Sequence, residues 1–262
     1  HPRVQRRIPM LSKRIIACLD VRNGSVVKGI NFEGLRVAGD PGELSRRYNR
    51  DGIDEIVILD VTATIEKRKA LADTIHAVAK EIFLPLCVGG GIKDEAHADA
   101  AIEAGADKVS LNTAAIANPE LLTTLARRYG SQAVVVAIDA KRVDDIFQIY
   151  VRSGQQATRR DAVDWAREAA DRGAGEILLT SIDRDGTKSG FDCELTAAVS
   201  NAVSIPVIAS GGAGTFDHFV DVFTKGQAHA ALAASIFHYN EHAVSDLKNH
   251  LRQNGIPVRL SC

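Results

Sequence analysis

The chain is short of several things, and each shortage narrows its possible roles. Four cysteines in 262 residues, at Cys18, Cys87, Cys193 and Cys262, are too few and too scattered for metal-ligand spacing or a disulfide framework. Two of them fall inside apolar, strand-like runs, which fits reduced, buried thiols in a cytoplasmic protein. No charge excess exists: 32 basic against 33 acidic side chains leave a formal charge of -1, so a generic nucleic-acid or acidic-membrane binder is excluded. No apolar run approaches the roughly 18 to 20 residues a membrane span needs. Methionine and tryptophan occur once each. The single methionine, Met10, stands just before the first orderly strand pattern. The preceding HPRVQRRIP is basic and lacks an apolar stretch, so it is not a secretory signal. Residues 1–9 are therefore expected to be an extension outside the fold, with one domain over 10–262.

What is present is an average globular composition, 45% hydrophobic and 25% charged, arranged in a strict alternation. Short β-branched runs at 14–19, 55–59, 85–88, 107–111, 133–138, 175–180, 206–209 and 229–233 are separated by helical patterns. Leu71, Ile75, Val78 and Ala79 make one apolar helical face, and Leu121, Leu122, Leu125 and Ala126 another. Eight strand-then-helix units predict a parallel sheet covered by helices, and eight is the number that closes around a filled interior. The expected fold is a single (β/α)8 TIM barrel.

The chain also repeats at about half its length. GIDEI at 52–56 returns as GAGEI at 173–177, Asp20 as Asp139, and Gly90-Gly91 as Gly211-Gly212. The barrel is accordingly expected to consist of two half-barrels of four units each.

In such a barrel the loops after the strands form the reactive face. Asp20 and Asp139, each ending a strand, would face one cavity from opposite sides, which suits general acid–base work. The plainer alternative is that each caps its own loop. The glycine loops 88–92 and 210–214, containing Gly90, Gly91, Ser210, Gly211 and Gly212, let a backbone approach an anion closely. Asn112-Thr113 and Ala234-Ser235 stand beside them. Duplicated cradles predict a ligand with two phosphates. Tight turns needing positive φ are the alternative. The long stretch 21–40, with Lys28, Asn31 and Phe32, reads equally as a lid or as a solvated hairpin. After the sixth strand, Asp183 and Asp185 offer a third carboxylate or a pair of Asx turns. Thr180 ends that strand.

Strand alternation carries a further expectation. If Asp20 faces inward, so does Arg14 at the other end of the strand. The same parity places Lys108 below Ser110, and Glu176 below Thr180, with Glu55 opening the second strand. Two cations and two anions at the floor of an apolar barrel are costly unless paired, so a ring of salt bridges is expected. Such a ring serves either as a structural plug or as a gate for a small molecule.

The segments KRIIACLDVRNGSVVKGINF (13–32), EIVILDVTA (55–63), VGGGI (88–92), ADKVSLNTAA (106–115), SQAVVVAIDAKR (131–142), GAGEILLTSIDRDGTKSGFD (173–192), IASGGAG (208–214) and ALAASIFH (231–238) together resemble the cyclase subunits of imidazole glycerol phosphate synthase, from histidine biosynthesis. The resemblance runs from Met10 to the end of the chain. It implies that ammonia attacks a bisphosphorylated phosphoribulosyl formimino carboxamide ribonucleotide, giving imidazole glycerol phosphate and an aminoimidazole carboxamide ribonucleotide. By resemblance Asp20 and Asp139 form the acid–base pair, Asp185 and Lys28 assist, and Arg14, Glu55, Lys108 and Glu176 form an ammonia gate. A separate glutaminase subunit would dock on the barrel floor, and neither metal nor cofactor is implied. The stretch before ALAAS departs from the family pattern GADA, reading Gly226-Gln227-Ala228-His229-Ala230, one residue longer. Two rival readings share these features: the phosphoribosyl isomerase of the preceding step, and a non-enzymatic barrel that activates a glutaminase.

Overall fold

A computed structural model describes residues 11–30, 33–61, 68–234 and 243–260. The first half carries β1 (Arg14–Arg22), β2 (Ser25–Ile30), β3 (Glu33–Gly39), β4 (Glu55–Asp60), β5 (Leu86–Gly89) and β6 (Lys108–Leu111). The second carries β7 (Val134–Val143), β8 (Ile146–Val151), β9 (Gln156–Asp161), β10 (Glu176–Ser181), β11 (Val207–Ser210) and β12 (Ala230–Ala233). The helices are α1 (Pro41–Arg50), α2 (Arg68–Glu81), α3 (Glu95–Glu103), α4 (Thr113–Ala117), α5 (Glu120–Tyr129), α6 (Ala162–Asp171), α7 (Cys193–Ser200), α8 (Phe216–Thr224) and α9 (Val244–Gln253).

Eight of the strands pair in parallel in the order β1-β4-β5-β6-β7-β10-β11-β12, and β12 pairs back onto β1, from Arg14 opposite Ala230 to Ala17 opposite Ala233. Closure leaves these strands no free edge, so the sheet is a (β/α)8 barrel. Each expected strand run falls on one of the eight. The other four strands form two antiparallel hairpins, β2–β3 on β1 and β8–β9 on β7. The stretch 21–40 is thus a hairpin in its described part. The second hairpin went unforeseen: Ile146–Val151 (IFQIYV) alternates in burial, with Phe147, Ile149 and Val151 buried.

The hairpins strengthen the half-chain repeat, since each follows the first strand of its half. Helix starts repeat too. Asp40 caps α1 by accepting the N–H of Glu43 at 2.9 Å, and Asp161 caps α6 by accepting that of Val163 at 2.8 Å. Asp94 opens α3 and Thr215 opens α8 at matching places. Each side-chain cap stabilises its helix by about 1 kcal/mol.

Alternation along the strands separates two apolar regions. Ile15, Ala17 and Leu19 face outward and pack against the helices with Ile56, Ile58, Val136, Ile138 and Leu179. Ile16, Cys18, Val57, Cys87, Val135, Leu178, Ile208 and Leu232 face inward and fill the barrel. The filled interior separates a mouth, where the strands end, from a floor, where they begin.

Candidate functional site

The mouth is built on the last inward-facing residue of each strand. Asp20 stands on β1 two residues above Cys18, whose Sγ donates to Asp20 Oδ1 at 3.8 Å. Burial and the fields of Asp20 and Asp185 push the Cys18 thiol well above its usual range, so it stays a neutral donor. Asp139 stands on β7, with Thr180 of β10 level with it and Ser210 of β11 level with Thr180. Asn112 Nδ2 donates to Asp139 Oδ2 at 2.8 Å. Burial nevertheless pushes the Asp139 carboxyl up to about 6, opposed by the Asn112 bond and reinforced by the charge of Asp185. Asn112 Oδ1 is buried and has no hydrogen-bond partner among the described residues.

The loop after β10 separates the two remaining carboxylates. Asp183 is committed to tying the loop to β7, accepting the N–H of Arg142 at 2.8 Å. Asp185 faces the mouth. Its charge is felt at both Cys18 and Asp139, and desolvation raises its own pKa against a hydrogen bond from the Gly186 backbone. Three carboxylates thus share one region, and one of them, Asp139, keeps a proton up to about pH 6.

The glycine loops lie where the sequence put them, after β5 and β11. Gly90 (φ +80°) presses on β4: a Cβ there would stand 2.2 Å from the carbonyl oxygen of Asp60. Its counterpart Gly211 (φ +90°) presses likewise on the Ser181 carbonyl of β10. Gly91 is different. At φ +72° a Cβ would meet nothing within 4 Å, so the backbone borders open space on the mouth side. Thr113 begins α4 and its Oγ1 accepts the N–H of Arg152 at 3.1 Å, which ties the β8–β9 turn to the mouth. Ala234 follows β12 and is half-buried, whereas Ser235 lies outside the described residues, as do Asn31 and Phe32. Lys28 stands on β2 opposite Arg36. No group of three His, Cys, Asp or Glu among the described residues is placed to hold a metal ion.

At the floor, the four charged residues meet. Arg14 donates to Glu55 at 2.6 Å and also to Glu176. Lys108 Nζ lies 2.9 Å from Glu55 and 3.0 Å from Glu176. Each cation bridges both carboxylates, so the ring closes with its charges balanced. Both glutamates are buried. Desolvation raises the pKa of Glu55 against the pull of Lys108 and Arg14, while the two carboxylates hold Arg14 and Lys108 protonated despite their own desolvation. One ion pair had no forecast: Lys248 of α9 reaches Asp54, the neighbour of Glu55, at 2.7 Å. A lysine at helical spacing between Leu247 and Leu251 was the available sign.

Fold and mouth together define a class: a (β/α)8 barrel with half-chain symmetry, carboxylates over its axis and paired glycine loops at its rim. The family model described as "Histidine biosynthesis protein" matches residues 14–243, and the chain belongs to that family. It is 57% identical over 253 residues to the imidazole glycerol phosphate synthase subunit HisF of Acidobacterium capsulatum, covering 97% of this chain and 100% of that one. The subunit of the same name from Alkaliphilus metalliredigens is 56% identical over 251 residues, 95% of this chain and 100% of the other. That of Dehalococcoides mccartyi is 53% identical over 251 residues, 96% and 99% respectively.

Proposed function

We propose that the chain is the cyclase subunit of an imidazole glycerol phosphate synthase. Ammonia supplied by a separate glutaminase attacks the bisphosphorylated formimino carboxamide ribonucleotide, giving imidazole glycerol phosphate, the aminoimidazole carboxamide ribonucleotide and one water. The observation that carries this reading is the vertical order of charge: a closed ring of Arg14, Glu55, Lys108 and Glu176 beneath a mouth holding Asp20 and Asp139. An isomerase, which imports nothing, has no use for a gate at the floor. Identity to three synthase subunits points the same way.

The incoming nitrogen must shed protons as it bonds to carbon, and the expelled groups must gain them. Asp20 and Asp139 serve as the acid–base pair, and Asp139, with its carboxyl near 6, can hold or release a proton at working pH. Because neighbouring carboxylates titrate together, the proton steps belong to the group rather than to one residue. Asp185 adds the third charge, and Lys28 assists from the β2–β3 hairpin. One phosphate lies against Gly90, Gly91, Asn112 and Thr113. The other lies against Thr180, Ser210, Gly211, Gly212, Ala234 and Ser235. The backbone N–H groups of such loops bind anions without a compensating side-chain charge.

The glutaminase docks on the floor. Phe83, 98% exposed just before β5, and Leu11, 87% exposed just before β1, offer apolar anchors there. Cytoplasmic residence fits the free thiols of Cys18, Cys87 and Cys193. No described helix is long and apolar enough to cross a membrane.

The test mixes the purified chain with the bisphosphorylated substrate and an ammonium salt and follows substrate absorbance. Wild type consumes substrate only with ammonia present. Asp20→Asn and Asp139→Asn each lower turnover by about 10²- to 10⁴-fold. Consumption without ammonia would identify the isomerase instead, and no consumption with ammonia would identify a scaffold.

A further inference from the structure

A buried ammonium fastens α9 to the segment that carries Glu55 of the floor ring. Asp54 is the residue before Glu55. Its Oδ2 accepts the N–H of Ile15 at 2.8 Å, and its own N–H donates to the Ile15 carbonyl at 2.9 Å. The residue after Arg14 and the residue before Glu55 are therefore joined twice. Asp54 Oδ1 faces the other way. It accepts Lys248 Nζ at 2.7 Å and Arg259 Nε at 3.2 Å. Lys248 also donates to the Gly52 carbonyl at 2.6 Å. The Lys248 side chain is only 2% exposed, although it stands on a short exterior helix.

Lysine is a costly choice for such a place. Leu247 and Leu251 beside it are fully buried, and an apolar side chain at 248 would spare the desolvation of a charge. That desolvation lowers the Lys248 pKa, with Asp54 opposing it. What the ammonium provides and a leucine could not is direction. It draws the Asp54 carboxylate and the Gly52 carbonyl to one point and holds the turn before β4 against α9. Arg14 and Glu55, one residue away on each side, then meet at 2.6 Å.

We propose that Lys248, acting through Asp54, is a positioning residue for the floor ring: it holds the Arg14–Glu55 arm in register so that ammonia released below passes into the barrel and not into bulk water. This rests on the gate reading given above. Lys248 touches neither substrate nor ammonia, and its role is read in how tightly two reactions are coupled.

The experiment assembles the full chain with its glutaminase subunit and measures glutamate formed per imidazole product, ammonium-driven turnover and Tm. Three proteins are compared: wild type, Lys248→Met, and Lys248→Met with Asp54→Asn. The double variant removes both charges, so no buried carboxylate is stranded if the single variant folds poorly. Wild type forms glutamate and product in equal amounts. In the variants the glutamate-to-product ratio rises at least about threefold, because a site whose supporting side chain is removed loosens by about 1 Å. Turnover at saturating ammonium stays within about twofold, since the mouth is untouched. Equal amounts in whichever variant folds, accompanied by a lowered Tm, would make Lys248 a purely structural residue and overturn the proposal. Uncoupled wild type would defeat the gate reading itself, an outcome distinct from coupled variants.

Discussion

Burying the Asp139 carboxylate costs the fold stability. Its folded-state pKa of about 6 lies above the ordinary carboxylate value of 3.8, so the folded protein binds this proton more tightly than the unfolded chain does. The penalty is fully present above about pH 6 and fades as pH falls toward the unfolded value. Asp139→Asn keeps an acceptor for Asn112 and removes the charge. It should stabilise the protein by about 1–2 kcal/mol at about pH 8, with the difference closing at about pH 4 in paired urea titrations. Neighbouring glycines separate folding from binding in the same way. Gly90→Ala drives a methyl into the Asp60 carbonyl and should cost about 3 kcal/mol or more by urea denaturation. Gly91→Ala meets open space, so its cost is about 1 kcal/mol of backbone strain. In substrate kinetics it should raise KM more than it lowers kcat.

At the scale of elements, the floor ring binds four separate strands, β1, β4, β6 and β10, through two cations and two carboxylates. Glu176→Gln leaves two half-buried cations facing one buried carboxylate. Urea unfolding should show a loss of about 2–4 kcal/mol, only weakly altered by salt because the pairs are shielded from solvent. The ring was legible in the sequence, because strand parity alone puts Arg14 on the face of Asp20 and Lys108 on the face of Asn112. The eight barrel strands were legible for a similar reason: buried parallel strands are short apolar runs between helical patterns. The β8–β9 hairpin was not, although Ile146–Val151 alternates as a half-buried strand should. Its polar positions made it resemble loop, and its place depends on pairing with β7, which no local pattern announces. The Lys248–Asp54 ion pair spans nearly two hundred residues and was equally invisible. A lysine among leucines shows that an ammonium is buried, not what it reaches.

For the whole molecule, the proposed delivery of ammonia from floor to mouth has a kinetic signature. With free ammonium salt, cyclase turnover should climb with pH as more of the salt becomes neutral ammonia. With glutamine and the assembled glutaminase, the same turnover should lose most of that climb, because neutral ammonia is made in place. Parallel pH profiles for the two nitrogen sources would argue against delivery through the floor.

The duplicated architecture has a last consequence. A receptor with near-twofold symmetry offers an unsymmetrical guest two opposite poses, and only one can be productive. The halves therefore have to be told apart by the few places where they differ. Gly91 borders an empty space, whereas its twin Gly212 is stacked on the Gly190 carbonyl, where a Cβ would come within 2.1 Å. One rim is roomy and the other tight, and that inequality can give the guest its heading.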